Sequence, residues 1–185
     1  MQTKFILHGG FTPGQKQEND NFFKEILRSA PEKVKVLLVY FAKEIDRIPT
    51  NKDEDIEQFN KNKGQKNLLF EVANEESFLK QVYWADIVYL HGGTSLKLLD
   101  TLKQFQNLKQ LFEGKIIAGD SAGANILSAV FYSMVADDVF KGFGLIPIKI
   151  ICHYSEKYKD KLGKDTSSLE TLFLPEYHYK TFYIE

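Results

Sequence analysis

The chain has 185 residues, of which 43% are hydrophobic and 26% charged, and its net charge is −1. That length suits a single α/β domain over residues 1–185 with a substantial core, and the near-neutral balance excludes a general nucleic-acid or membrane-surface binder, since those need a basic excess. No apolar run is long enough to span a bilayer, the N-terminus lacks a signal-peptide layout, and the lone Cys152 fits a reducing compartment; the expectation is a cytoplasmic protein.

In chain order, Lys4 to Leu7 reads as a short strand ending at His8-Gly9-Gly10, followed by a loop with Pro13 and Gly14. Asn19 or Asp20 caps a helix running to about Ser29 and burying Phe22, Phe23, Ile26 and Leu27, and Pro31 ends it. Val34 to Phe41 is nearly all apolar, as in a strand buried on both faces. Lys43 to Lys66 is highly charged and reads as solvated surface, with a helix from about Asp53 to Asn62 whose Ile56 and Phe59 face inward. Leu68 to Val72 is a third strand, Asn74 caps a helix holding Phe78, Leu79 and Val82, and Asp86 to Leu90 is a fourth strand ending at His91-Gly92-Gly93-Thr94-Ser95. A helix with Leu98, Leu99 and Leu102 on its buried stripe follows, and Leu108, Leu111 and Phe112 continue the helical packing.

Lys115-Ile-Ile-Ala-Gly119 then runs into Asp120-Ser121-Ala122-Gly123, with Ile126, Leu127 and Val130 at helical spacing beyond it. A buried strand, a tight Gly-x-Ser-x-Gly turn and a helix make a nucleophile elbow: the glycines let strand and helix approach, and the serine hydroxyl is left exposed at the strand end. Asp137 and Asp138 sit in a loop, Ile146 to Cys152 is an apolar strand ending at His153, Tyr154 to Leu162 is a short charged helix, and Leu172 to Leu174 is a short strand before Pro175-Glu176. The alternation of strands and helices predicts a doubly wound, mostly parallel sheet with helices on both faces, a three-layer sandwich of flavodoxin type.

In such a sheet function gathers at the carboxyl ends of the strands, where His8-Gly9-Gly10, Gly92-Gly93-Thr94, Ser121 and His153 all fall. Ser121 needs a base, and His153 is the candidate by position. The N–H groups of Ala122 and of the Gly92-Gly93 turn, with Thr94 beside them, are candidate oxyanion and substrate contacts. His153 lies on the first strand after the serine helix, which leaves no room for the order of residues in α/β-hydrolases and puts the acid in the serine-helix-to-strand connection instead. The histidines and carboxylates do not fall at zinc-ligand spacings, so no metal or other cofactor is expected.

Gly119-Asp120-Ser121-Ala122-Gly123-Ala124, Gly92-Gly93 followed by Leu98-Leu99, Gly142-Phe143-Gly144-Leu145 leading to His153-Tyr154, and Leu174-Pro175-Glu176 together resemble the aspartyl dipeptidase (dipeptidase E) and cyanophycinase family of serine peptidases. The resemblance implies a fold like that of class I glutamine amidotransferases, with serine where those carry cysteine. It implies Ser121 as nucleophile, His153 as general base, and Asp137 or Asp138 as the acid orienting His153, with Glu176 in reserve. It also implies a small peptide substrate, with an N-terminal aspartate as one candidate.

Where the dipeptidases have Gly-Gly-Asn-Thr this chain has Gly92-Gly93-Thr94-Ser95, and where they carry arginines after the histidine it has Lys157, Lys159 and Lys161. Lysine holds a carboxylate with less geometric discrimination than arginine, so with Lys149, Lys157, Lys159 and Lys161 as the cations near the site, any preference for aspartate is expected to be weaker than in the arginine-bearing dipeptidases, with glutamate or a neutral residue also accepted. Family members continue past the Pro-Glu segment with another hairpin, whereas this chain stops at Glu185, so the expectation is that the last strand pair is either missing or supplied by a partner chain, as in a homo-oligomer. Two other readings stand beside the peptidase: a hydrolase of another amide or ester on the same residues, and a catalytically silent member acting as a binding or regulatory module.

Overall fold

The computed structural model describes residues 1–11, 16–163, 165 and 167–185; the loop expected at Pro13 and Gly14 lies outside them. The first half of the chain forms β1 (Thr3–His8), α1 (Lys16–Arg28), β2 (Lys33–Val39), α2 (Ile48–Asn62), β3 (Asn67–Val72), α3 (Phe78–Trp84), β4 (Ile87–Leu90) and α4 (Ser95–Leu102). The second half forms α5 (Leu108–Leu111), β5 (Ile116–Asp120), α6 (Ala122–Leu127), β6 (Ser128–Ser133), β7 (Asp138–Lys141), β8 (Ile146–Cys152), β9 (Thr171–Leu174) and β10 (Tyr179–Ile184). Among the described residues no helix is long and apolar enough to cross a membrane.

The strands make two sheets. The larger has the order β10-β1-β5-β4-β2-β3 and is parallel except for β10, which runs antiparallel to β1. Residues alternate between its two faces, as the period of a strand requires. Phe5, Leu7, Val88, Leu90 and Ile117 enter one core with Phe78, Leu98, Leu99 and Ile126. Their neighbours Ile6, Ile87, Tyr89, Ile116 and Ala118 enter another with Phe22, Phe23, Ile26 and Phe59 of α1 and α2. Burial on both faces is why these strands read as continuous apolar runs.

The smaller sheet, β7-β6-β8-β9, differs from the expected single sheet. The serine helix ends at Leu127, and Val130, expected on that helix, lies in β6. The run Val130-Phe131-Tyr132 is β-branched and aromatic, which favours a strand, and the Ser128 hydroxyl donates to the Asn125 carbonyl at 2.7 Å where the helix stops. β6 pairs with β7 antiparallel and with β8 in parallel. Asp138 thus opens a strand instead of lying in a loop. Tyr154 to Leu162 holds only a single helical turn at Glu156–Tyr158. The first core also takes in Phe131, Ile148, Ile150 and Leu174 from this smaller sheet.

Candidate active site

The elbow is built by close packing. Gly119 and Gly123 face each other so tightly that a Cβ on Gly119 would sit 2.5 Å from the Gly123 carbonyl carbon, and one on Gly123 would sit 2.3 Å from the Leu90 oxygen. Between them Ser121 adopts φ 45° and ψ −95°, a conformation that costs an L-residue of order 1–3 kcal/mol. Its hydroxyl lies 2.9 Å from His153 Nε2, and His153 Nδ1 lies 2.8 Å from Glu176 Oε1. With the carboxylate accepting from Nδ1–H, Nε2 is left with a lone pair aimed at the serine hydroxyl.

Three loops fix the histidine. Its own φ of 49° turns the ring back from the end of β8, its N–H donates to the Gly9 carbonyl at 2.7 Å, and the Tyr177 N–H donates to the Gly10 carbonyl at 2.9 Å. Gly10, at φ 94°, leaves no room for a side chain: a Cβ there would fall 2.1 Å from His153 Nε2. His8-Gly9-Gly10 is therefore the floor beneath the histidine and the segment carrying Glu176.

The acid expected after the serine helix does not meet the ring. Asp137 accepts from the Tyr132 hydroxyl at 2.5 Å and from Lys161 Nζ at 2.7 Å, and Asp138 Oδ1 accepts from the Val139 N–H at 2.9 Å. Both lie in the β6–β7 hairpin, where Ser133 pairs with Asp138, so strand pairing holds them away from His153 and Glu176 takes the place. The Ala122 N–H opens α6, where first-turn donors have no intrahelical acceptor. Thr94 gives its N–H to the Ala42 carbonyl at 3.0 Å and walls neither of the two hollows beside the serine.

One hollow, of about 280 Å³, is charged: Lys43, Asn51, Glu54, His91, Gly92 and Asp120 wall it together with Ser121 and His153. The other, of about 230 Å³, is more apolar, with Tyr132, Met134, Val135 and Cys152 beside Ser95 and Asn125. The expected cations do not line either one. Lys149 lies 3.6 Å from Asp165 and Lys159 3.0 Å from Glu156, while Lys161 pairs with Asp137. Lys157 sits over the Tyr158 ring. Lys43 is the lysine of the charged hollow.

Sequence reading treated the stretch around α2 as solvated and missed its role. Asp55, 2% exposed, lies 2.8 Å from His91 Nδ1 and accepts from the Tyr40 hydroxyl at 2.8 Å. Burial, and then Asp55 beside it, pushes the Tyr40 phenol well above its usual range. The available signal was the helical spacing of Asp55 with Phe59 on one face. Burial also pushes the Cys152 thiol well up, with Asp120 adding to it, so Cys152 is not a thiolate nucleophile. Among the described residues no group of three or more His, Cys, Asp or Glu side chains is placed to hold a metal.

Asp120, also missed, lies 2.8 Å from His8 Nδ1. Burial alone would raise its pKa, but the hydrogen bond and charge of His8, then the charges of His91 and His153, outweigh burial and hold it below the usual carboxylate range. A carboxyl lowered in the folded state stabilises the fold above its unfolded value, and this is lost as pH falls through the folded one. Urea unfolding at several pH values is expected to show a steeper loss of stability below about pH 4 in the wild type than in Asp120→Asn; equal slopes would show that Asp120 is not a stabilising anion.

Residues 5–174 match the model of peptidase family S51. No curated protein matches the sequence. The fold is similar to that of a peptidase from an acI-B1 Actinobacterium, at TM-score 0.72 and 20% identity over 98% of this chain and 84% of that one. It is also similar to a candidate peptidase E protein from Listeria monocytogenes EGD-e, at TM-score 0.65 and 15% identity over 100% of this chain and 98% of that one.

Proposed function

From the premise that this chain belongs to peptidase family S51 and is a serine-type hydrolase, we propose that it cleaves small peptides, as a dipeptidase, through Ser121, His153 and Glu176. The observation that carries the reading is the continuous contact from serine hydroxyl to imidazole to carboxylate, at 2.9 and 2.8 Å. Ser121 Oγ attacks the peptide carbonyl carbon while His153 Nε2 takes its proton. Glu176 holds the ring in the tautomer that leaves Nε2 free and stabilises the imidazolium that forms. The N–H groups of Ala122 and Gly93 face the oxyanion. His153 then returns the proton to the leaving amine, and water, activated by the same imidazole, releases the acyl group from Ser121.

The two hollows flank this group, which suits a substrate with one residue on each side of the scissile bond. If aspartate is favoured in the first residue, Lys43 is the cation to hold it, and as a point charge it should discriminate weakly against glutamate. A catalytically silent module gains no support from a serine, a histidine and a carboxylate in register. Incubation with a fluorophosphonate is expected to label Ser121, located by peptide mapping, and to stop hydrolysis of a dipeptide panel in proportion to labelling. Hydrolysis that persists in fully labelled protein would refute the reading.

A further inference from the structure

The proposed mechanism leaves Asp120 without a task. It directly precedes Ser121, is 4% exposed, and is held ionised by its histidine neighbours against the effect of burial. Its Oδ1 faces His8. Its Oδ2 has no hydrogen-bond partner among the described residues and turns toward Gly92, where a Cβ would come within 2.7 Å of it. Both residues wall the charged hollow, so the missing side chain at Gly92 keeps that oxygen open to whatever the hollow holds. An ionised oxygen that opens into a hollow without a donor from the described residues can take a cation or a strong donor from a bound ligand. Within the hollow, His91 has Nδ1 committed to Asp55, and Lys43 and Glu54 both line it.

Resting on the peptidase reading, we propose that Asp120 anchors the α-ammonium group of the substrate's first residue, so that the enzyme cleaves behind a free N-terminal residue. In a peptide the α-nitrogen lies two bonds, roughly 2.5 Å, from the carbonyl carbon that the serine attacks. An anchor for it must therefore stand beside the nucleophile, and Asp120 is the nucleophile's neighbour in the chain. The same charge makes the anchor selective. An ionised Asp120 repels the oxyanion that develops next to it, and a bound ammonium cancels that repulsion. An N-acylated peptide leaves the carboxylate buried and uncompensated, which adds a penalty to the lost contact.

The test uses pairs of dipeptides of identical sequence, one member with a free amine and one N-acetylated, with neutral and acidic first residues, assayed on the wild type and on Asp120→Asn. The wild type is expected to favour the free amine by about 100-fold or more in kcat/KM, and the variant to bring that ratio close to one. Any damage to Ser121 or to the fold lowers both members alike and cancels in the ratio, so a merely structural Asp120 would leave it unmoved. If Asp120→Asn does not fold, Asp120→Ser takes its place, with the same collapse of the ratio expected. Equal cleavage of both members overturns the anchor and leaves the peptidase reading intact, as does a folded variant that keeps the preference for Asp120 in particular. Cleavage of neither member by the wild type overturns both readings together.

Discussion

Ser121→Ala is expected to lower peptide hydrolysis on the order of 10⁶-fold and to abolish fluorophosphonate labelling, with little change in stability. The backbone at this position is already strained at φ 45°, and alanine meets the same strain as serine, so the turn pays nothing new. What is lost is the oxygen 2.9 Å from His153 Nε2, without which no covalent intermediate forms. The residual rate would come from oxyanion donors and substrate binding acting on water. Steady-state hydrolysis alongside urea unfolding tests this. A variant that unfolds like the wild type yet keeps more than about a hundredth of its activity would show that the nucleophile lies elsewhere.

The second large effect separates the carboxylates. Glu176→Gln keeps the shape of the side chain but removes the charge facing His153 Nδ1 at 2.8 Å. It lets the amide favour the wrong tautomer, and kcat is expected to drop by about 10³- to 10⁴-fold. Asp137→Asn alters contacts with Tyr132 and Lys161 in the hairpin, and its activity should stay within about threefold of wild type, since exposed ion pairs contribute little. The two variants assayed side by side give the answer: a severe loss in Asp137→Asn with a mild one in Glu176→Gln would return the acid to the β6–β7 hairpin.

What could be read from the sequence was mostly local. The elbow declares itself because the glycine at 119 is dictated by its contact with Gly123 four residues on, although Gly123 also answers to Leu90 of β4. The inner strands of the larger sheet, β1, β2, β4 and β5, declare themselves because burial on two faces leaves unbroken apolar runs, whereas the half-exposed edge strand β10 has no such run. The smaller sheet was hidden because Val130 sits at helical spacing from Ile126 and Leu127, while the choice of strand for it is made by partners β7 and β8 further along the chain. The identity of the carboxylate facing His153 is equally non-local. Asp137, Asp138 and Glu176 are alike as residues, and only the pairing of β10 with β1 and the bond from Tyr177 to Gly10 bring Glu176 under the ring. Asp55 and Asp120 were missed for a related reason, since a buried charge looks like a surface charge until its histidine partner folds over it.

The proposed catalytic group also straddles a seam. Ser121 follows β5 of the larger sheet, His153 follows β8 of the smaller one, and Glu176 lies on the link that leaves β9 of the smaller sheet for β10 of the larger. Two hydrogen bonds at 2.9 and 2.8 Å thus measure how well the sheets are aligned, much as a vernier reads the offset between two scales. A slip of about an ångström would break the proton relay, because such bonds weaken steeply with length and angle, although every strand would still be paired. Heat or mild denaturant should therefore silence the enzyme while its secondary structure is still whole, and a tight active-site ligand that spans both hollows should act as a rivet across the join.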